Sequence, residues 1–418
     1  MTATLTGAAA VAAAVADHLA TPDQGRALAG DRWWPQSLAH GAAGVALLHI
    51  ERARAAEGPW DRAREWLACA VSEGVDASVS SHLYYGLPAV AFVVHQAATM
   101  RPEYGRERDR LDAALARIVV RRLERAHTRI EAGWLPVLAE FDTIRGLAGL
   151  GALLLVRQDN RGLLELARRV LTYLVRLTEP VTADGQELPG WWTLVGPSGR
   201  ESADFPGGHA NTGMAHGIAG PLTTLAVALG RGIEVEDHAE AIKRILAWID
   251  TWQQESRGEV WWPYWVTRAQ LDGTQALVGP QRPSGCYGTS GLAHAQLLAA
   301  SALGDTERQV RAHKVLTDTF STAIAAGTVS DASLCHGYAG LALLAHTTGT
   351  GDASRLCAPI VNDNDPDATA YRLLTESGIG LLEGAASTAM ALHSLTTTSP
   401  HWGWSAFLLT GHEESPLS

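Results

Sequence analysis

The residues best equipped for chemistry stand at one recurring place in the chain. A polar or aromatic residue, then Gly, two residues, usually a second Gly and an apolar run, recurs seven times. The first glycines of these motifs are Gly41, Gly86, Gly146, Gly217, Gly288, Gly337 and Gly384. Two of the four cysteines, Cys286 and Cys335, precede Gly288 and Gly337 by the same two positions, and His336 follows the second. Two thiols and an imidazole suit Zn2+, which takes Cys and His ligands tetrahedrally; three protein ligands leave the fourth position open, as catalytic sites do. Thiolate ligands argue against Mg2+ and Ca2+. The chain contains no C-x-x-C, so the repeat register carries this reading and linear spacing does not. Either cysteine alone would read as a small apolar filler of a helical core.

His216 directly precedes Gly217, and Asp142 lies three residues before Arg145 of the Arg145-Gly146 motif. Beside a Lewis acid, an imidazole and a carboxylate fit general acid and base roles. Asp142 reads equally well as the cap of a helix that starts at its motif. Arg282, four residues before Cys286, could hold a carboxylate or steady a developing oxyanion. Asp142, His216, Cys286, Cys335 and His336 converge if every Gly motif opens a helix pointing to the same end of the molecule.

The elements that would achieve this are legible as a repeat. Successive motifs lie 45, 60, 71, 71, 49 and 47 residues apart, as expected of one supersecondary unit with variable loops. Each motif leads into a segment apolar on every side, which belongs in an interior. Between motifs run amphipathic, more charged segments with apolar residues at i, i+3, i+4 and i+7, at 61–71, 108–126, 160–177, 236–252 and 306–324. An Ala-rich N-terminal helix would serve the first motif. Open solenoids carry polar terminal caps, whereas here the inner segments are apolar at both chain ends. The expectation is an all-α fold: an α/α barrel of seven inner and seven outer helices, one domain over residues 1–418. A generic helical bundle is the competing fold. Two irregular insertions, at 181–213 and 253–285, are dense in Gly, Pro and Trp. Their Trp191, Trp192, Trp261, Trp262 and Trp265 would either wall a peptide-sized cleft or pack between loop and barrel.

Composition narrows the function classes. With 46% apolar residues the chain can bury a large core, and 33 Lys+Arg against 44 Asp+Glu exclude a nucleic-acid binder. No run of 18 apolar residues occurs, so no membrane span is expected. Met1–Ala20 lacks the basic start of a secretion signal and reads as an ordinary helix. Four cysteines are too few for a disulfide framework, which suggests a cytoplasmic protein with reduced thiols.

The segments FDTIRGLAGL (141–150), GMAHGIAGPL (213–222), CYGTSGL (286–292), LCHGYAGL (334–341) and GLLEGAA (380–386) together resemble the lanthionine synthetase C-like family, the lanthipeptide cyclases. The resemblance runs from His40 to the GWSAFLLTG segment at 403–411. It implies a double ring of helices and an enzyme that closes thioether rings in a peptide whose Ser and Thr have already been dehydrated. A peptide thiol, made acidic by zinc, adds to dehydroalanine or dehydrobutyrine, and the resulting enolate is protonated. Matched motif by motif, Cys286, Cys335 and His336 become the zinc ligands and His216 the acid that protonates the enolate. Asp142 would assist His216 or accept the thiol proton, and Arg282 would stabilise the enolate or orient His216. The implied partners are the dehydrated precursor peptide, a separate dehydratase and an exporter, because the chain has no dehydratase-sized segment. Two positions depart from the family: Gly285 stands where Trp is usual, and Ser290 where Pro is usual. A slimmer residue at 285 should widen the pocket beside the metal. Competing readings are a relative that adds glutathione to dehydrated residues, a docking scaffold without turnover, and a glycosidase built on Asp142 and Glu383.

Overall fold

The computed structural model describes residues 3–183, 185–361, 365–397 and 403–409. Met1, Thr2, Asp184, Thr410 and Gly411, which belong to segments read above, lie outside the described residues. Every Gly motif opens a helix within two residues of its first glycine. These are Ala42–Arg54, Leu87–Met100, Leu147–Val156, Ala219–Gly230, Thr289–Leu303, Tyr338–Thr347 and Ala385–Thr396. They are buried along nearly their whole lengths, as their all-round apolar character requires. The amphipathic segments form Ala3–His18, Trp60–Val71, Gly105–Glu131, Arg161–Leu177, His238–Thr251 and Thr306–Ala326. Arg161–Leu177 shows why. The Asn160 side chain accepts from the Gly162 and Leu163 amides, which stops the chain at its N-terminus. Leu163, Leu166, Ala167, Val170, Leu171 and Leu174 then bury one face, each large side chain contributing about 1.5–3 kcal/mol. The remaining outer helix, Pro366–Ser377, follows an Asp365 cap and a first-turn proline.

Two compact units arise from this chain. In the unit formed by residues up to Leu115 with Phe320–Ala406, inner helices pack in the order Tyr338–Thr347, Ala385–Thr396, Ala42–Arg54, Leu87–Met100. The last inner helix of the chain therefore lies beside the first, a neighbour relation that an open stack of repeats lacks. Ala3–His18 packs along Ala385–Thr396 and Pro366–Ser377. In the unit formed mainly by Ala116–Thr319, the order is Leu147–Val156, Ala219–Gly230, Thr289–Leu303, with Arg161–Leu177 and His238–Thr251 on their outer side. No single described helix is long and apolar enough to cross a membrane.

The insertions are more ordered than the sequence suggests. Val181–Ala183 pairs with Gln186–Leu188, Gln254–Ser256 with Glu259–Trp261, and His209–Asn211 with Trp265–Thr267, which joins the two insertions. Strands of three residues are too short to show an alternating pattern. Arg257 and Gly258, both at positive φ, make the two-residue turn between one pair. Trp191, Trp192, Trp261 and Trp262 are buried, with the indole N–H of Trp192 on the Gly207 carbonyl and that of Trp262 on the Ile249 carbonyl. These four pack in the interior, while Trp265 is partly exposed beside Phe205 and Tyr264.

The motif turns interlock through their backbones. In the second unit the Thr143 amide donates to the Ala215 carbonyl, and the Met214 and Ala215 amides donate to the Cys286 carbonyl. In the first, Cys335 donates to Leu382, Leu382 to Ala39, and Leu38 to Tyr84. Every acceptor stands two residues before a motif glycine, the position of both cysteines. The glycines serve these turns chiefly by close approach. A Cβ on Gly146, Gly217, Gly337 or Gly384 would sit 2.2–2.4 Å from the amide nitrogen four residues earlier. Only Gly86 and Gly288 among the seven also need a positive φ, +74° and +134°. Permission for neighbouring helices to approach, expected from the sequence, is secondary to this fit within each turn.

Candidate metal and acid–base centre

The ligand atoms of Cys286, Cys335 and His336 all lie within 4.8 Å of one another, an arrangement that could hold a metal ion. All three side chains are partly exposed, so a substrate group can approach them. Tetrahedral zinc with Zn–S about 2.3 Å and Zn–N about 2.0 Å places its ligand atoms roughly 3.5–3.8 Å apart. The two-sulfur, one-nitrogen donor set fits zinc. Cys286 is held by its carbonyl, which accepts the Met214 and Ala215 amides, and its Sγ lies 3.9 Å from Ser284 Oγ. Cys335 is held by its amide on the Leu382 carbonyl. The other two thiols differ. Cys357 is fully buried, and desolvation pushes its pKa up to about 12. Cys69 is half-buried and raised for the same reason. Neither belongs to the group that could hold a metal ion.

Asp142 and His216 meet directly. His216 Nδ1 lies 2.7 Å from Asp142 Oδ2, and the Asp142 side chain is 1% exposed against 30% for His216. A carboxylate at Nδ1 places the imidazole proton there, leaving Nε2 for proton exchange. Asp142 Oδ1 accepts the amides of Arg145 at 2.6 Å and Gly146 at 2.8 Å. Asp142 thus caps its turn and contacts His216 at once. Arg122 hydrogen-bonds the Arg145 carbonyl; burial lowers its pKa, and the Asp142 charge partly restores it.

Arg282 is placed against Tyr264. Burial raises the phenol's pKa, while Arg282, which hydrogen-bonds it, lowers it. The Tyr264 ring lies 5.5 Å from Tyr287, and Tyr287 lies 6.2 Å from His216, so aromatic contacts link Arg282 to His216. Tyr287 has no assigned role in the sequence reading, although it shares the register position of His216 and His336. Its hydroxyl accepts the Asn211 side-chain amide at 2.9 Å. Asp331 and Glu383 were also missed as neighbours of His336, Asp331 because it lies outside the motif. Asp331 Oδ2 is 3.3 Å from His336 Nε2, and Glu383 Oε1 is 4.0 Å from Nδ1.

Residues 32–409 match the family model described as lanthionine synthetase C-like protein, and the chain belongs to that family. Among curated relatives is the nisin biosynthesis protein NisC of Lactococcus lactis subsp. lactis, 24% identical over 281 residues. That match covers 65% of this chain and 64% of the relative, a little under two thirds of the relative's length. Among solved structures, a nisin cyclase superposes with a TM-score of 0.73 at 20% identity, over 95% of this chain and 96% of the other. The fold is therefore shared, and the expected all-α class stands.

Proposed function

We propose that this protein is a zinc-dependent lanthipeptide cyclase. Its substrate is a dehydrated precursor peptide, and its product carries lanthionine or methyllanthionine thioether rings. The carrying observation is the Cys286, Cys335 and His336 group with its ligand atoms within 4.8 Å, in a chain of the lanthionine synthetase C-like family. Bound there, zinc supplies a Lewis acid that lowers the pKa of a peptide thiol. The protein's own residues handle the proton that ring closure requires at the α-carbon of the former dehydroamino acid. His216, with Nδ1 fixed by Asp142, offers Nε2 as the donor. Both Asp142 oxygens are already engaged, which favours assistance to His216 over uptake of the thiol proton. Arg282 and Tyr287 supply a cation and a phenol for the developing enolate oxygen. In this reading the enzyme works in the cytoplasm, after a separate dehydratase and before an exporter.

Metal analysis and a ring-closure assay test the proposal together. The wild-type protein is expected to hold one zinc per chain and the Cys286→Ala protein to lose it. His216→Ala should keep zinc yet fail to remove free thiols from a dehydrated, Cys-containing peptide, as read by thiol alkylation and mass spectrometry. Full zinc occupancy in Cys286→Ala would sink the metal assignment. Undiminished ring closure by His216→Ala would remove His216 from the mechanism.

A further inference from the structure

His336 is flanked by a carboxylate that its own turn holds rigidly. Asp331 Oδ2 lies 3.3 Å from His336 Nε2. The other oxygen, Oδ1, accepts the Ser333 amide at 2.8 Å, and the Asp331 carbonyl accepts the Tyr338 amide at 3.0 Å. A Cβ on Gly337 would lie 2.4 Å from the same Oδ1, so the glycine leaves room for this carboxylate. Ser333 in turn accepts the His336 amide with its hydroxyl at 3.3 Å. The carboxylate and the imidazole are thus fixed to one another by a single turn of chain.

We propose that Asp331 is the positioning residue of the metal centre: it accepts the Nε2 proton of His336 and so presents Nδ1 to the metal. A metal-binding imidazole must keep its proton on the nitrogen remote from the ion. A carboxylate at that nitrogen fixes the tautomer and the ring angle and makes the ligand nitrogen more basic. Glu383 is less suited to this task. Its oxygen is 4.0 Å from Nδ1, beyond hydrogen-bonding distance, and its side chain is half exposed. The inference rests on the zinc site proposed above, and it adds the ligating atom and the residue that selects it.

The Asp331→Asn protein isolates the contact. Asn keeps an oxygen for the Ser333 amide and replaces Oδ2 with an NH2 group, which cannot accept the Nε2 proton. Titration with zinc alone against a chromophoric chelator should show 10- to 100-fold weaker binding than wild type, the usual cost of losing such a partner. The zinc-free proteins should melt at the same temperature. Equal zinc affinity in Asp331→Asn and wild type would overturn the proposal. A second measurement needs no variant of Asp331. In the zinc-loaded wild type, nitrogen-15 spectra of the His336 ring, identified by difference from His336→Gln, should show the proton on Nε2. A proton on Nδ1 would overturn this proposal while leaving the zinc site intact. A wild-type protein that binds no zinc would overturn both.

Discussion

The two oxygens of Asp142 serve different partners, and two substitutions should therefore fail differently. Asp142→Asn can still accept the Arg145 and Gly146 amides through Oδ1 but loses the acceptor for His216. It should melt near the wild-type temperature and retain zinc while ring closure falls by at least tenfold. Asp142→Ala loses the cap as well, and urea unfolding should show a further cost of about 1–2 kcal/mol. A variant Asp142→Asn with wild-type turnover would contradict the pairing. At this scale the sequence was informative where side chains fall in the repeat register. His216, Cys286, Cys335 and His336 could be found by lining up the motifs. Asp331 could not, because it lies six residues before Gly337 and reaches His336 through the shape of the turn. Tyr264 was hidden for a related reason: it comes from an insertion whose path the repeat does not describe.

Helices were predictable because their apolar periodicity is a direct imprint of burial, and motif glycines marked their starts. The reason for those glycines was not legible, since it depends on backbone atoms four residues away. Gly217→Ala and Gly337→Ala place a Cβ 2.4 and 2.2 Å from backbone nitrogen. Each should destabilise its turn by roughly 1–3 kcal/mol or more. Gly230→Ala is the contrasting case. Nothing lies within 4 Å of its added Cβ at the end of Ala219–Gly230, so a gain of up to about 1 kcal/mol is expected. Urea midpoints of the three proteins check both signs. Ser290 adds a second contrast. It is fully buried, and its hydroxyl has no hydrogen-bond partner among the described residues. Ser290→Ala should therefore raise the melting temperature, reflecting about 1 kcal/mol or more of relieved desolvation.

Within each compact unit, stability should depend on pH through histidines whose pKa burial lowers, among them His393 and His238 and, with the larger shifts, His49 and His209. Burial is the largest influence on both His49 and His209, lowering each from 6.5 to about 4. His49 also bonds the Leu19 carbonyl at 2.7 Å, which opposes the shift without cancelling it. The folded values lie below the unfolded value, so the unfolded chain binds more protons between pH 6.5 and 4. Their contribution is complete above pH 6.5 and is lost as pH falls toward 4. Each shift is worth on the order of 3 kcal/mol. Urea midpoints should therefore drop steeply through this window, and less steeply in His49→Gln and His209→Gln. An identical slope in the double variant would remove these histidines as the cause. Neither was legible beforehand, because nothing in the residue pattern tells a buried histidine from an exposed one.

The interlocked turns have a consequence for how such a molecule can change. At Ala215, Cys286, Cys335 and Leu382, whose side chains are partly exposed, the peptide group bears the structural duty. The side chain there owes nothing to that duty and behaves like an interchangeable fitting in a fixed socket. Swapping one fitting rewrites the local chemistry without reopening the question of how the chain folds. New reactivity could therefore be acquired one codon at a time, and a lost cysteine would leave behind an intact, silent frame.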